Sequence, residues 1–162
     1  MSQRDDFCAI AIAEIGTKEK PANSNKVKYN NNNGQFWCGY FVDWCARQVG
    51  LKIPSCVYTP AGVAGFQGKG QWWNIATKKP QSGDIVFFDF PKGEKVDHVG
   101  IVIEVNDDGT CITVEGNTTA DGKTGSQSNG GEVARKVRAY KANKRGLPVF
   151  IVGFGRPKWS KK

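Results

Sequence analysis

The chain has 162 residues, of which 39% are hydrophobic, and its formal net charge is +8. This length suits one domain, residues 1–162, whose core needs no disulfide or metal ion to stabilise it. No stretch approaches the roughly 18 consecutive apolar residues of a membrane-spanning helix. Charged residues interrupt the first 16 positions, which therefore do not resemble a secretory signal peptide. We expect synthesis in the cytoplasm and no stable membrane insertion.

The positive charge is concentrated at the C-terminal end. Residues 1–131 carry 13 basic and 14 acidic side chains, whereas residues 132–162 carry 10 basic side chains and one acidic side chain. Such a segment predicts long-range attraction to phosphate polymers, carboxylate-rich cell wall or nucleic acid. The alternative is a solvated surface that keeps the protein soluble. The basic residues considered are Lys136, Arg138, Lys141, Lys144, Arg145, Arg156, Lys158, Lys161 and Lys162.

The first part of the chain predicts three helices, each with a start or stop signal. They are residues 4–15, between Ser2 and Gly16; residues 37–49, ending at Gly50; and a short helix with Thr59 as N-cap and Pro60 as its first residue. Residues 18–35 form an Asn-rich connection that is too long for a minimal turn. We expect it to be either a wall of a cleft or a mobile loop.

The later part changes to segments of β-branched and aromatic residues, separated by clusters of Pro, Gly, Asn and Asp. The predicted strands are residues 84–90, 98–105, 110–117, 132–140 and 149–154. Helices followed by strands predict the α+β class, with N-terminal helices packed on a C-terminal antiparallel β-sheet.

Cys38 stands where the Asn-rich connection gives way to the second predicted helix. A thiol at a helix N-terminus ionises readily, because backbone N–H groups and the helix dipole stabilise the thiolate. A thiolate nucleophile needs an imidazole that passes a proton to the leaving group, and His98 is the one histidine of the chain. Cys38 and His98 are therefore the candidate catalytic pair, and we expect both to lie outside the main core.

The other four cysteines, Cys8, Cys45, Cys56 and Cys111, are interpreted as buried thiols. A disulfide between Cys45 and Cys56 is left open. The chain has no C-x-x-C motif, and one histidine leaves a zinc site short of ligands. We expect no metal ion and no other cofactor.

A strong turn at residues 106–109, Asn-Asp-Asp-Gly, joins two predicted strands into a hairpin. Such a connection pairs positions whose numbers sum to about 215, which sets His98 opposite Asn117 and Gly100 opposite Glu115. Side chains alternate along a strand, so these four residues share one face. Glu115 or Asn117 can then hold the imidazole of His98 in the required tautomer. The other face is apolar and carries Val99, Ile101, Ile103, Ile112 and Val114.

Four segments stand out in order along the chain: WCGYFVDW at residues 37–44, SGDIVFF at 82–88, DHVGIV at 97–102 and VEGNT at 114–118. In sequence, order and spacing they resemble the CHAP domain, the cysteine- and histidine-dependent amidohydrolase/peptidase family of papain-like fold. One such match would be weak, but four in family order are specific. The resemblance covers most of residues 37–117.

The resemblance implies that Cys38 is the nucleophile, His98 the general base and acid, and Glu115 the residue that orients His98. Asn117 matches a fourth family position that either orients or polarises. The family cleaves amide bonds of bacterial peptidoglycan, and attack by a cysteine nucleophile implies a thioester acyl-enzyme. VGFGRP at residues 152–157 resembles the end of phage lytic enzymes.

We therefore expect a phage endolysin-type enzyme. It would be made in the host cytoplasm and would reach the cell wall after the membrane is permeabilised. Residues 132–162 would attract it to anionic wall polymers, and we expect no nucleic-acid partner.

The N–H of Cys38 is an expected oxyanion donor, and Gln35 or a neighbouring loop group is a candidate for the second. Trp37, Trp72 and Trp73 are expected to line a groove for glycan or stem peptide, or else to pack in the core.

Two features depart from the family pattern. Several phage relatives bind calcium through closely spaced aspartates before the nucleophile, but residues 18–37 contain no aspartate. We therefore expect no structural calcium. Gly39 stands where many relatives have alanine, which we expect to be a small change.

Two other interpretations remain. An NlpC/P60-like peptidase or an interbacterial amidase effector would use the same cysteine and histidine, although Glu115 on a strand favours the CHAP family. A non-catalytic basic module would bind nucleic acid or wall polymer through residues 132–162, but it leaves the grouping of Cys38, His98 and Glu115 unexplained.

Overall fold

The computed structural model describes residues 1–91 and 96–160 of the chain. These residues form three α-helices and one six-stranded antiparallel sheet with the strand order β1-β6-β2-β3-β4-β5. The helices are α1 (Gln3–Ala13), α2 (Cys38–Gln48) and α3 (Thr59–Gly68), and the strands are β1 (Trp72–Asn74), β2 (Ile85–Phe88), β3 (His98–Val105), β4 (Thr110–Thr118), β5 (Glu132–Ala139) and β6 (Ile151–Gly155). The predicted α+β class, with N-terminal helices on an antiparallel sheet, is confirmed.

Apolar side chains cover both faces of the sheet. The helices pack on the face that carries Ile85, Phe87, Val99, Ile101 and Val114. The opposite face carries a second cluster, which includes Val86, Phe88, Val102 and Phe154. Cross-strand partners share a face, and Phe88 pairs with His98. The face predicted as polar therefore also holds large apolar side chains, and they enclose the imidazole.

Helices α1 and α2 begin close to their predicted starts. Ser2 is the N-cap of α1, and its side chain accepts a hydrogen bond from the Asp5 N–H at 3.1 Å. Beyond the helix the chain turns through Gly16 at a φ of 98°, which favours glycine. α2 begins at Cys38 itself, and Trp37 is its N-cap.

Two local features differ from the sequence-based expectation. The N-cap of α3 is Tyr58 and not Thr59, because the Thr59 hydroxyl donates to the Val96 carbonyl at 2.8 Å instead of capping the helix. Strand β1 is absent from the prediction, because three residues are too few to show alternation. It forms by pairing with β6 at the edge of the sheet.

The β3–β4 hairpin has the predicted register beside the functional residues. Val102 pairs with Thr113 as expected, and an irregularity beyond Val102 shifts the remaining pairs by one residue. At the other end, Gly100 faces Glu115. A Cβ at Gly100 would lie 2.6 Å from Glu115 Cγ, so glycine leaves the space that the Glu115 side chain occupies.

A close backbone crossing fixes the N-terminus of α2. The segment before α3 passes Gly39 so closely that a Cβ there would lie 1.8 Å from the Cys56 carbonyl oxygen and 2.8 Å from Val57 Cα. Asp43 joins the same two segments, because its carboxylate accepts from the Cys56 N–H at 2.9 Å and the Ser55 hydroxyl at 2.8 Å. The expectation that glycine at position 39 is a small change is wrong, since a larger residue meets backbone.

Replacing Gly39 by alanine is expected to destabilise the protein. Forced overpacking costs about 1–3 kcal/mol and occasionally more, and here the obstacle is a backbone carbonyl rather than a flexible side chain. Urea denaturation followed by circular dichroism measures the free energy of unfolding.

Gly68→Ala is the matched control, because nothing lies within 4 Å of a Cβ at that helical glycine. The control should leave stability unchanged or raise it by up to about 1 kcal/mol. Equal stabilities of the two variants would contradict the close crossing.

Candidate active site

The Cys38 thiol lies at the first residue of α2 and is 6% exposed. N–H groups in the first turn of a helix have no intrahelical acceptor, so they are available to a negatively charged sulfur or oxygen at this end. The side chain belongs to the apolar cluster between the helices and the sheet. The expectation that Cys38 lies outside the core is therefore wrong.

His98 is the first residue of β3 and is wholly buried, also contrary to expectation. Its Nε2 atom lies 2.8 Å from Glu115 Oε1. The rings of Phe88 and Phe90 lie against the imidazole, with centroids 5.4 and 5.7 Å away. The Nδ1 atom has no hydrogen-bond partner among the described residues, and the Cys38 thiol is the other group that acts on the ring. Nδ1 is thus the nitrogen left for the thiol.

The charge of His98 depends on three opposing effects. Burial disfavours the imidazolium and by itself would lower the pKa of His98. The Cys38 thiol and the Glu115 carboxylate outweigh burial and raise the pKa of His98 from 6.5 to about 9. The imidazole is therefore protonated near neutral pH, and an imidazolium stabilises a neighbouring thiolate.

Glu115 accepts four hydrogen bonds in the interior. His98 Nε2 and Arg138 Nη2 lie 2.8 and 2.6 Å from Oε1, and the Thr113 hydroxyl and Arg138 Nε lie 2.5 and 2.8 Å from Oε2. Burial alone would raise the pKa of this carboxyl, but Arg138 and His98 hold the pKa of Glu115 well below its usual range. Glu115 is therefore a carboxylate with a fixed orientation.

Asn117 makes its side-chain hydrogen bonds to residues other than His98. Its amide donates to Asn129 Oδ1 at 3.1 Å and to Asn25 Oδ1 at 3.4 Å, and its oxygen accepts from the Gly131 N–H at 3.0 Å. The backbone is left-handed at Asn117, with a φ of 54°, and this turns the side chain away from His98. Asn117 ties β4 to the Asn-rich connection and to the loop before β5. A catalytic role for it stays a prediction.

All five cysteines lie in the described part of the chain and are free thiols. The disulfide left open between Cys45 and Cys56 is therefore not formed. Burial raises the pKa of the thiols of Cys8, Cys45 and Cys56, and it raises the pKa of Cys111 to about 12. These four thiols are neutral at physiological pH, which makes them poor nucleophiles.

Residues 1–91 and 96–160 contain no group of three or more His, Cys, Asp or Glu side chains that could hold a metal ion. In the same ranges, no helix is long and apolar enough to cross a bilayer.

The sequence profile of the CHAP domain matches residues 29–117, which is more than half of the chain. The chain belongs to the CHAP family. The matched range contains Cys38, His98, Glu115 and Asn117. No curated protein matches the chain in sequence.

This CHAP-family chain is similar in fold to the crystal structure of Ly7917, with a TM-score of 0.54 and 17% identity. A crystal structure of Ly7917 with the hydrolyzing product of MDP gives a TM-score of 0.52, also at 17% identity. Each match covers 95% of this chain and 62% of the Ly7917 chain. The chain thus spans less than two thirds of the length of Ly7917, and the likeness shows a shared fold.

The three tryptophans expected at a substrate groove have different surroundings. Trp37 is wholly buried, and its indole N–H donates to Glu19 Oε1 at 3.4 Å. Trp72 and Trp73 lie on β1, three strands away from β3, which is about 14 Å at ordinary strand spacing. The Lys78 ammonium lies 3.8 Å above the Trp73 ring. The core alternative therefore holds for Trp37, and a substrate-binding role for Trp72 and Trp73 stays a prediction.

Exposed side chains of a different set flank Cys38. Gln35 is exposed, and its side-chain oxygen accepts from the Tyr40 hydroxyl at 2.8 Å. Phe36 is 61% exposed and Tyr58 is 56% exposed; Tyr58 follows the segment that crosses α2. Sequence reasoning missed both aromatic residues. For Phe36 the signal was its place two residues before Cys38, whereas Tyr58 is brought near by the crossing alone.

The basic residues at the C-terminal end do not form one solvated surface. Arg138 is buried against Glu115, and Lys136 is buried and lies 2.9 Å from the Asp121 carboxylate. Arg156 binds the buried Asp84 carboxylate with two hydrogen bonds of 3.0 Å. The exposed basic residues of the segment are Arg135, Lys141, Lys144, Arg145 and Lys158, and Lys161 and Lys162 lie outside the described residues.

The pKa of His98 predicts how stability and charge depend on pH. Because folding raises the pKa of His98 from 6.5 to about 9, its contribution to stability is complete below pH 6.5 and is lost as the pH rises toward 9. Cys38→Ala is expected to lower the pKa of His98, since the thiol is the largest of the raising effects. Nitrogen-15 NMR of the single imidazole follows this titration directly.

Cys8→Ala serves as the control for this titration, because that thiol contacts Ser82 and the Val102 carbonyl rather than His98. It should leave the pKa of His98 unchanged. A wild-type pKa at or below 6.5, or the same pKa in wild type and Cys38→Ala, would contradict the pairing of thiol and imidazole.

Proposed function

We propose that the protein is a peptidoglycan hydrolase of the phage endolysin type, which cleaves an amide bond of the bacterial cell wall. The observation that carries this proposal is the buried array in which Glu115 binds Nε2 of His98 and leaves Nδ1 for Cys38. Membership of the CHAP family supports it. The similar fold of Ly7917, whose crystal structure holds the hydrolyzing product of MDP, is consistent with it.

The array suits acyl transfer in two steps. The Cys38 thiolate attacks the amide carbonyl, and the N–H of Cys38 binds the oxyanion in this scheme, with Gln35 as a candidate for the second donor. Nδ1 of His98 gives its proton to the departing amine, which leaves a thioester. Nδ1 then takes a proton from water as the oxygen attacks the thioester, and release of the acid restores thiolate and imidazolium.

The exposed rings of Phe36 and Tyr58 are further candidates, with Trp72 and Trp73, to contact glycan or stem peptide. Synthesis in the host cytoplasm followed by action on the wall remains part of the proposal. An NlpC/P60-like peptidase or an amidase effector would share the cysteine and histidine. Mass spectrometry of digested peptidoglycan distinguishes these activities, because the new termini identify the bond that is cut.

Cys38→Ser is expected to abolish the hydrolysis of purified peptidoglycan, and His98→Ala to lower it by at least about 10²–10⁴-fold, the usual contribution of a general acid–base. Cys38→Ser is the cleaner variant, because His98 is wholly buried and its removal leaves a cavity beside charged groups. Activity is measured as the release of soluble fragments, normalised to the folded fraction from circular dichroism.

Cys8→Ala is the control for this experiment, and it should retain both activity and its sensitivity to a thiol alkylator. Iodoacetamide should inactivate the wild type with one equivalent of label, located on the peptide that contains Cys38. Full activity after that site is labelled would exclude the cysteine mechanism, whereas a folded wild type that releases no fragments would favour a binding module.

We also propose that exposed lysines at the C-terminal end attract the enzyme to anionic wall polymers. Replacing Lys141, Lys144 and Lys158 together by glutamine should slow the lysis of intact walls and leave cleavage of a small soluble fragment unchanged. High salt should have the same effect on the wild type, because screening limits exposed charges to about 10 Å at 0.1 M salt.

The matched control replaces three other exposed lysines, Lys20, Lys52 and Lys69, by glutamine, so that the net charge falls by the same amount. It should slow the lysis of walls less than the first triple variant does. Equal effects of the two triple variants would show that only net charge matters, and the segment would then be a solubilising surface.

A further inference from the structure

Arg138 on β5 binds the carboxylate of Glu115, which in turn is hydrogen-bonded to His98. Its Nε and Nη2 atoms donate to the two oxygens of Glu115 at 2.8 and 2.6 Å, the parallel two-bond geometry in which arginine binds a carboxylate most strongly. Arg138 is only 8% exposed, so solvent screens this ion pair little. The residue lies outside the range that the family profile matches.

The surrounding residues leave space for the ion pair between Arg138 and Glu115 and shield it from solvent. Ala134 is the cross-strand partner of Glu115, and so small a residue leaves space for the guanidinium to approach along the face. Phe88 and Phe90 are stacked at 5.7 Å. The Arg138 guanidinium lies 5.0 and 5.3 Å from their ring centres, and the same two rings lie against His98. Arginine, carboxylate and imidazole therefore share one enclosed site.

The charges of the site show what Arg138 adds. With a thiolate at Cys38 and an imidazolium at His98, Glu115 would be a third charge without a partner of its own, and Arg138 balances it. During the proposed reaction His98 becomes neutral when it gives its proton to the leaving amine. At that stage Arg138 is the one remaining cation in contact with Glu115 among the described residues, and a buried carboxylate without a cation takes up a proton.

We propose that Arg138 is a positioning residue of the hydrolysis: it keeps Glu115 ionised and in one orientation while His98 alternates between its charged and neutral forms. The proton then moves between Nδ1 of His98 and the substrate or water, and Nε2 keeps its proton toward Glu115 throughout. This inference rests on the proposed function, because the proton movement is that of the Cys38–His98 reaction.

Kinetics of two variants test the proposal. Arg138→Met is expected to lower kcat about 10–100-fold, the usual cost of losing a partner behind a functional ligand, and to leave KM unchanged, because Arg138 is buried against Glu115. Arg138→Lys keeps the positive charge but not the two-bond geometry. Compared with Arg138→Met, it should recover the wild-type dependence of kcat on pH, but only part of the wild-type value of kcat.

A titration without substrate separates this inference from the proposed function. In the wild type, NMR of the single histidine should show one inflection between pH 4 and 10, that of His98 itself. In Arg138→Met only the imidazolium still opposes burial, so the pKa of Glu115 should rise. Proton uptake by Glu115 should then add a second inflection to the His98 signals, at a lower pH than the titration of His98 itself. Arg138→Lys should show the single inflection of the wild type.

Lys136→Met is the matched control, because Lys136 is a buried cation two residues away on β5 that pairs with Asp121 instead of Glu115. It should change stability at most, and neither the pH profile nor the His98 titration. A single inflection in Arg138→Met with kcat within twofold of the wild type would overturn the proposal. So would a second inflection in the control.

If Arg138→Met does not fold, the kinetics of Arg138→Lys test the proposal instead. Wild-type kcat in that variant would show that the two-bond geometry is not needed, and failure of both variants to fold would assign Arg138 to structure alone; either result overturns the proposal. A wild-type protein without amide hydrolysis would refute the proposed function, while the NMR comparison would still report whether Arg138 keeps Glu115 ionised.

Discussion

A carboxylate removed from water is unfavourable unless its oxygens and its charge are both satisfied, and Glu115 is such a carboxylate. His98, Arg138 and Thr113 supply donors to it. Much of the surrounding structure follows from this requirement. Gly100 leaves space for the side chain, β5 supplies the arginine, and aromatic rings close the site to solvent. The imidazole is held by the same contact, which sets its tautomer and, together with the Cys38 thiol, raises its pKa.

The nucleophile is positioned by a separate constraint. Cys38 belongs to the helix layer, and its place is set by how closely other backbone approaches α2. The segment before α3 crosses at Gly39, and β4 approaches the same turn at Gly116, where a Cβ would lie 2.6 Å from Phe41 Cβ and 3.0 Å from the Trp37 ring. Glycine at both positions lets the N-terminus of α2 meet the hairpin. The thiol of one layer and the imidazole of the other are therefore joined by backbone packing.

Local patterns were sufficient wherever neighbours along the chain decide the structure. The start of α1 follows from its capping serine, the ends of α1 and α2 from the glycines that come after them, and strands β2 to β6 from runs of β-branched and aromatic residues. The hairpin register follows from the turn at residues 106–109, and it places Glu115 on the face of His98. The same reasoning did not foresee the contacts of Asn117, whose left-handed backbone at the end of β4 goes with hydrogen bonds to Asn25 and Asn129. It left Trp37 open between groove and core, because ring burial depends on the opposing layer.

The sequence by itself determined the fold class, the family and the three residues that meet in the site, because a helix N-terminus and a strand register are local properties. Only the tertiary structure decided which buried groups balance one another. Arg138 belongs to a strand whose basic residues resemble a solvated surface in the sequence, yet it lies against Glu115. The Gly39 crossing and the exposure of Phe36 and Tyr58 were likewise set by packing. Burial and ion pairing of this kind depend on segments distant in the chain, and no local pattern encodes their distances.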